Sequence, residues 1–274
     1  MGSVHMGTNE QMAYQGIDVH LCAKGESGRG LLLLHGWKCS AAMMGGIQDA
    51  LSPRMRTVAV DFPGHGDGGK AEPPKCVWGI PDYAALALEI IRRYDLAPCD
   101  IIAHSFGCRV ALYLAATEPE AVGRLILTGA AGIPNRPTAA SQKRGREYHA
   151  LKSCMRVLGS LPGLRDKASA WQEALIQKYG SADYKALSPH MREVFKQVIS
   201  FDITPYLEKV QAPTILFWGT KDTETPLWMG REMEKRIPDA ALITEEGATH
   251  FAYLERQAVF TKIAEEFLLK GRNE

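Results

Sequence analysis

The 274-residue chain has no cysteines at Cys-x-x-Cys spacing and no apolar run approaching the ~20 residues that span a bilayer. It also has almost no net charge: 32 Lys and Arg stand against 31 Asp and Glu. The six cysteines, Cys22, Cys39, Cys76, Cys99, Cys108 and Cys154, are scattered. Such spacing argues against a zinc site or a dithiol redox centre and fits a reducing cytoplasm. A formal charge of +1 removes any electrostatic case for nucleic acid or a membrane surface as partner. The histidines are not at ligand spacings, so no metal is expected. Internal repeats and low-complexity tracts are missing too, so no repeat architecture is indicated. Met1-Gly2-Ser3-Val4-His5-Met6 lacks the basic-then-apolar character of a secretory leader and is expected to lie outside the fold.

What remains is a chain of ordinary composition, 46% hydrophobic and 23% charged, long enough to bury a sizeable core. Short apolar segments alternate with helical patterns. Strands are expected near Ile17–Cys22, Leu31–His35, Thr57–Asp61, Asp100–His104, Arg124–Thr128, Thr214–Gly219 and Ala241–Thr244. Amphipathic helices are expected over Ala42–Leu51, Pro81–Tyr94, Phe106–Thr117, Leu227–Arg236 and Glu255–Leu269. This order predicts an α/β fold whose sheet is mostly parallel, with helices on both faces. Leu31-Leu32-Leu33-Leu34 does not alternate, as suits a strand buried on both sides. From 133 to 210 the alternation stops, and a Lys- and Arg-rich helical stretch opens with Pro134 and Pro137. It is too long for a bare loop and is expected to be a helical lid. Residues 1–132 and 211–274 then form the core domain.

Ala103-His104-Ser105-Phe106-Gly107 follows one apolar strand and precedes a helix. A serine flanked at two positions on each side by small residues, at a strand-to-helix turn, is a nucleophile elbow: the turn is tight and presents the hydroxyl above the sheet edge. A serine hydroxyl needs a base, and the base needs an orienting partner. In chain order, Asp222 follows one strand in Trp218-Gly219-Thr220-Lys221-Asp222. His250 follows the last strand in Gly247-Ala248-Thr249-His250-Phe251. Parallel strands end on one side, so all three residues fall at one sheet edge. The expected roles are nucleophile for Ser105, base for His250 and orienting acid for Asp222.

Five ordered motifs complete the pattern: His35-Gly36-Trp37, Asp61-Phe62-Pro63-Gly64-His65-Gly66, the elbow, and the acid and histidine loops. From about residue 16 onward the chain resembles the α/β-hydrolase fold family, in its lid-bearing, serine esterase-like branch. The resemblance implies a lid inserted after the sixth strand of that fold. It also implies an oxyanion hole made by the backbone N–H groups of Trp37 and Phe106, with no cofactor. The implied activity is carboxylesterase chemistry on small-molecule esters through an acyl-enzyme at Ser105. Carbon–carbon bond hydrolysis of meta-cleavage products is the alternative within the family. A ligand receptor built on the same fold is the alternative outside catalysis.

Three positions depart from the family pattern. Gly68 stands where a capping Ser is common, Cys108 where a second Gly is frequent, and Lys38 where a small residue follows the oxyanion residue. Lys38 either reaches the pocket mouth or extends into solvent. His35 and His104 are further candidates for the substrate pocket, with ordering of their turns as the ordinary alternative. Ser105 as a plain helix N-cap, Asp222 as a cap for the segment at Thr225-Pro226, and His250 as a surface histidine stay open as ordinary alternatives. Asp202 and Glu224 are the spare acids.

Overall fold

Gly30–Leu34 has every residue buried, and the sheet is built outward from it. The computed structural model describes residues 8–66, 71–135, 143, 146–148, 150, 151, 153–155, 157, 165–180 and 182–270. Its strands are β1 (Thr8–Tyr14), β2 (Ile17–Lys24), β3 (Gly30–Leu34), β4 (Arg56–Val60), β5 (Cys99–His104), β6 (Val122–Thr128), β7 (Thr214–Gly219) and β8 (Ala240–Glu245). They form one sheet in the order β1-β2-β4-β3-β5-β6-β7-β8. From β4 to β8 all neighbours are parallel, while β2 runs antiparallel to β4 and β1 antiparallel to β2.

The described helices are α1 (Gly45–Leu51), α2 (Ile80–Arg93), α3 (Phe106–Thr117), α4 (Arg165–Tyr179), α5 (Ala182–Lys185), α6 (Pro189–Ser200), α7 (Leu227–Arg236), α8 (Ala252–Glu255) and α9 (Gln257–Leu269). Leu31 and Leu33 face one side of the sheet, in a cluster with Ile47 and Leu51 of α1 and Phe260, Ala264 and Leu268 of α9. Alternation along the strand turns Leu32 and Leu34 to the other side, where α3 packs on β3, β5 and β6. All four leucines are fully buried. The expected doubly covered, mostly parallel sheet is what the chain forms.

Two elements differ from expectation. β1 is invisible to periodicity because it lies at the sheet edge and buries only Met12 of its seven residues. The final helix, expected as one piece from 255, starts earlier and breaks at Arg256 (φ −122°, ψ 39°). There Glu255 turns back to accept the Thr249 hydroxyl and, at 3.1 Å, the Thr249 N–H. That contact fixes the loop carrying His250.

The chain divides into two compact units, 1–133 with 197–274, and 134–196. Residues 197–210 fold with the first. Half-buried Arg109 of α3 donates to the carbonyls of Val198 and Phe201 (3.1 Å for the second). Ile203 N–H donates to Gly132 O at 3.1 Å, and the Tyr113 ring meets Phe201 and Tyr206. Within the second unit the Arg192 guanidinium makes two bonds to Glu173, at 2.6 and 3.0 Å. Tyr184 and Phe195 are in ring contact there, and Trp171 is exposed. No helix among the described residues is long and apolar enough to cross a membrane.

Candidate active site

Ser105 joins β5 to α3 with φ 49° and ψ −108°, a strained conformation for a side chain other than glycine. Its hydroxyl makes no capping bond to α3. The backbone holds the turn instead: Ser105 N–H donates to Thr128 O at 3.0 Å, and Ala131 N–H donates to Ser105 O at 3.2 Å. At Gly107 a Cβ would lie 2.5 Å from Leu34 O and 2.8 Å from His35 O, so nothing larger than glycine lets α3 sit this close to β3. Cys108 is fully buried and its thiol donates to Ala103 O at 3.2 Å. The small thiol fits where the family frequently has glycine.

Asp222 and His250 lie on neighbouring loops beyond β7 and β8. The two loops continue the strand pairing: Thr220 N–H donates to Glu245 O and Lys221 N–H to Ala248 O, at 3.0 and 2.9 Å. His250 Nδ1 is 2.8 Å from Asp222 Oδ2. The carboxylate is fully buried, whereas 13% of the His250 side chain is exposed. Nδ1–H therefore donates to Asp222 and Nε2 is left as the basic nitrogen. Burial alone would raise the Asp222 pKa; the bonds from His250 and Thr225 outweigh it and hold the carboxyl below its ordinary value.

Asp222 also organises its own loop. Its Oδ1 accepts the N–H groups of Glu224 and Thr225, both at 2.9 Å. One oxygen shapes the loop and the other faces the imidazole. Of the spare acids, Glu224 is exposed, and Asp202, also exposed, accepts Thr204 N–H at 2.9 Å. Two residues that sequence reasoning passed over complete the cluster. Thr225 Oγ1 lies 2.8 Å from Asp222 Oδ2 and 3.2 Å from His250 Nδ1. Gly129, just past β6, is the second: a Cβ there would sit 3.0 Å from His250 Nδ1. The only sequence signal for Thr225 was its place before Pro226, three residues after the acid.

Trp37 and Phe106 carry rings in edge contact, centroids 5.5 Å apart, and His65 stacks on Phe106 at 5.6 Å. Phe106 N–H opens α3, among the amides that a helix start leaves without an intrahelical partner. Lys38 is exposed with φ 57°. Gly68 lies outside the described residues. His35 is fully buried: Phe62 N–H donates to its Nε2 at 3.0 Å, and its Nδ1–H donates to Gly36 O at 2.7 Å. It thus ties the Gly36-Trp37 turn to the loop after β4. His104 is buried beneath His250, ring centroids 4.7 Å apart, and its Nδ1–H donates to Thr128 O at 3.1 Å.

His35, His65 and His104 share one electrostatic consequence. Burial pushes their pKa values down, to about 4, about 3 and about 3 respectively. All three are neutral when folded, and in the unfolded chain each titrates near the ordinary ~6.5. Above that value neither state binds the protons, so these rings cost no stability there. As pH falls from ~6.5 towards 4 the unfolded chain takes up three protons that the native state refuses, and stability drops steeply. Urea titrations across pH 7 to 4 are expected to show the midpoint falling, with His104→Gln flattening the slope by about one proton. A midpoint constant to pH 4.5 would show that these rings are not held neutral.

A family model described as "Alpha/beta hydrolase family" matches residues 31–262. Pimeloyl-[acyl-carrier protein] methyl ester esterase of Neisseria meningitidis serogroup B (strain H44/76) is 28% identical over 248 residues, covering 87% of this chain and 92% of that protein. Among solved structures, an esterase from Exiguobacterium antarcticum superposes with a TM-score of 0.72 at 22% identity, covering 97% of this chain and all of the other. A meta-cleavage product hydrolase from Pseudomonas fluorescens IP01 gives 0.68 at 20% identity, covering 94% and 96%. The family match runs from the central strand through the loop of His250 into the last helix, and by it this chain is a hydrolase of the alpha/beta hydrolase family.

Proposed function

We propose that the protein is a serine esterase acting through an acyl-enzyme on Ser105. The observation that carries this reading is the 2.8 Å bond between His250 Nδ1 and the buried Asp222 carboxylate, on loops at the sheet edge where the strained Ser105 stands. Ser105 Oγ attacks the ester carbonyl as His250 Nε2 takes its proton. The tetrahedral oxyanion is held by the N–H groups of Trp37 and Phe106, worth roughly 10²–10³-fold in rate per donor. Collapse releases the alcohol, which receives the proton from His250. Water then repeats the sequence and frees the acid. Asp222 holds the ring in the Nδ1–H tautomer and stabilises the imidazolium without itself taking the proton.

The substrate class is a small carboxylic ester. The methyl ester of a carrier-bound acyl chain is a natural first compound to try, because the Neisseria relative is named for one. Lys and Arg well outnumber Asp and Glu between 134 and 196, the sign of charge that suits an anionic partner. That stretch is proposed as the cap, on its place in the chain between β6 and β7.

The test is burst and steady-state hydrolysis of p-nitrophenyl esters of increasing acyl length, beside methyl esters and a dienoic ring-fission product. Ester turnover with an initial burst supports the reading, and the chain-length profile sizes the acyl site. Cleavage of the dienoate without ester turnover would move the protein to carbon–carbon hydrolysis. Ligand retention without any turnover would make it a receptor.

A further inference from the structure

Thr225 has no role in the mechanism above, yet it is buried at the centre of the acid–base pair. Its hydroxyl oxygen lies 2.8 Å from Asp222 Oδ2, 3.2 Å from His250 Nδ1 and 3.1 Å from Gly129 O. The residue is held from three sides. Its N–H donates to Asp222 Oδ1 at 2.9 Å, and its carbonyl accepts the indole N–H of Trp218 at 2.7 Å. The buried Trp218 belongs to β7, so the hydroxyl is anchored to the sheet rather than to a loop tip.

A hydroxyl has one proton to give and two lone pairs. The shortest of its contacts is to the charged carboxylate, which is also the strongest acceptor. The proton therefore goes to Asp222 Oδ2, and a lone pair faces the Nδ1–H of His250, whose bond is then shared between Oδ2 and Oγ1. We propose that Thr225 is a positioning residue of the catalytic relay, fixing the Asp222 carboxylate by donation and the His250 ring by acceptance. The inference rests on the serine esterase reading, since it assigns His250 and Asp222 their roles.

Two effects follow from losing the hydroxyl. The ring is held by one acceptor instead of two, so the productive orientation is populated less. The carboxylate loses a donor and carries more charge towards the imidazole, which favours the imidazolium. The titratable groups facing His250 among the described residues are Asp222 and, from β5, His104. His104 stays neutral in the working pH range.

The test compares Thr225→Val, which keeps the shape and removes the hydroxyl, with Thr225→Ser, which keeps the hydroxyl, on one p-nitrophenyl ester. Thr225→Val is expected to lower kcat roughly tenfold, the size of one hydrogen bond to a charged group, with KM within about twofold. The acid limb of its kcat/KM profile should move to higher pH, and Thr225→Ser should restore both. If Thr225→Val melts early, the Thr225→Ser and Thr225→Ala pair isolates the hydroxyl in the same way. Equal kcat and an unmoved acid limb in hydroxyl-free and hydroxyl-bearing variants would overturn the inference. Ser105→Ala, run alongside, keeps the two questions apart: its silence with an indifferent Thr225 sinks only this inference, whereas its activity sinks the esterase reading itself.

Discussion

Ser105→Ala is expected to lower ester turnover by roughly 10³–10⁶-fold while leaving the fold intact. Its structural cost is small because the serine side chain caps nothing: α3 begins without a bond from Oγ. The bonds that hold the elbow, from Ser105 N–H to Thr128 O and from Ala131 N–H to Ser105 O, belong to the main chain and survive the substitution. Alanine also keeps the φ of 49° under the same strain, so the geometry around the missing hydroxyl stays as it was. The thermal midpoint should therefore stay within a few degrees of the parent, since about 1 kcal/mol shifts it by only 2–4 °C in a domain this size. Any residual rate would come from the oxyanion donors and from binding alone. A variant that keeps more than a tenth of the parental turnover would remove Ser105 from the chemistry. A silent variant with a collapsed midpoint would show that the hydroxyl supports the elbow, and the silence would then not assign Ser105 to the chemistry.

The sheet was legible wherever burial is two-sided. Leu31–Leu34 and Ile101–Ala103 are apolar without interruption because helices cover both faces, and the sequence carries that directly. β1 carries no such mark, since an edge strand that buries one methionine is held by main-chain pairing to β2 rather than by side-chain pattern. The glycine of the elbow was legible because the close approach of α3 to β3 leaves no room for a Cβ at position 107. Asp222 was legible only as a choice between cap and acid. Aspartate suits both tasks, and only coordinates reveal that one oxygen accepts loop N–H groups while the other lies against the imidazole. Thr225 and Gly129 were not legible at all. Their relation to His250 exists only where the ends of β6, β7 and β8 meet, and no spacing along the chain encodes that meeting.

Asp222→Asn is expected to lower kcat by roughly 10⁴-fold with little effect on stability. The amide keeps an oxygen at the Oδ1 position, so the N–H groups of Glu224 and Thr225 retain their acceptor and the loop after β7 keeps its shape. The NH₂ group is then forced into the place of Oδ2, facing His250 Nδ1 and the Thr225 hydroxyl. A donor there cannot accept Nδ1–H, so the imidazole turns to the tautomer protonated at Nε2 and has no lone pair left for the Ser105 proton. The Thr225 hydroxyl gives its proton to Gly129 O, 3.1 Å away, which keeps the buried group satisfied. Asp222→Ala removes both oxygens, so it should lose the same activity and also lower the thermal midpoint. The comparison separates the two tasks of one side chain: equal activity loss with unequal melting is the expected pattern. If Asp222→Asn retains activity near the parent, the carboxylate is only a loop cap and another group orients His250. If Asp222→Asn melts as early as Asp222→Ala, the loop depends on the buried charge rather than on the Oδ1 bonds.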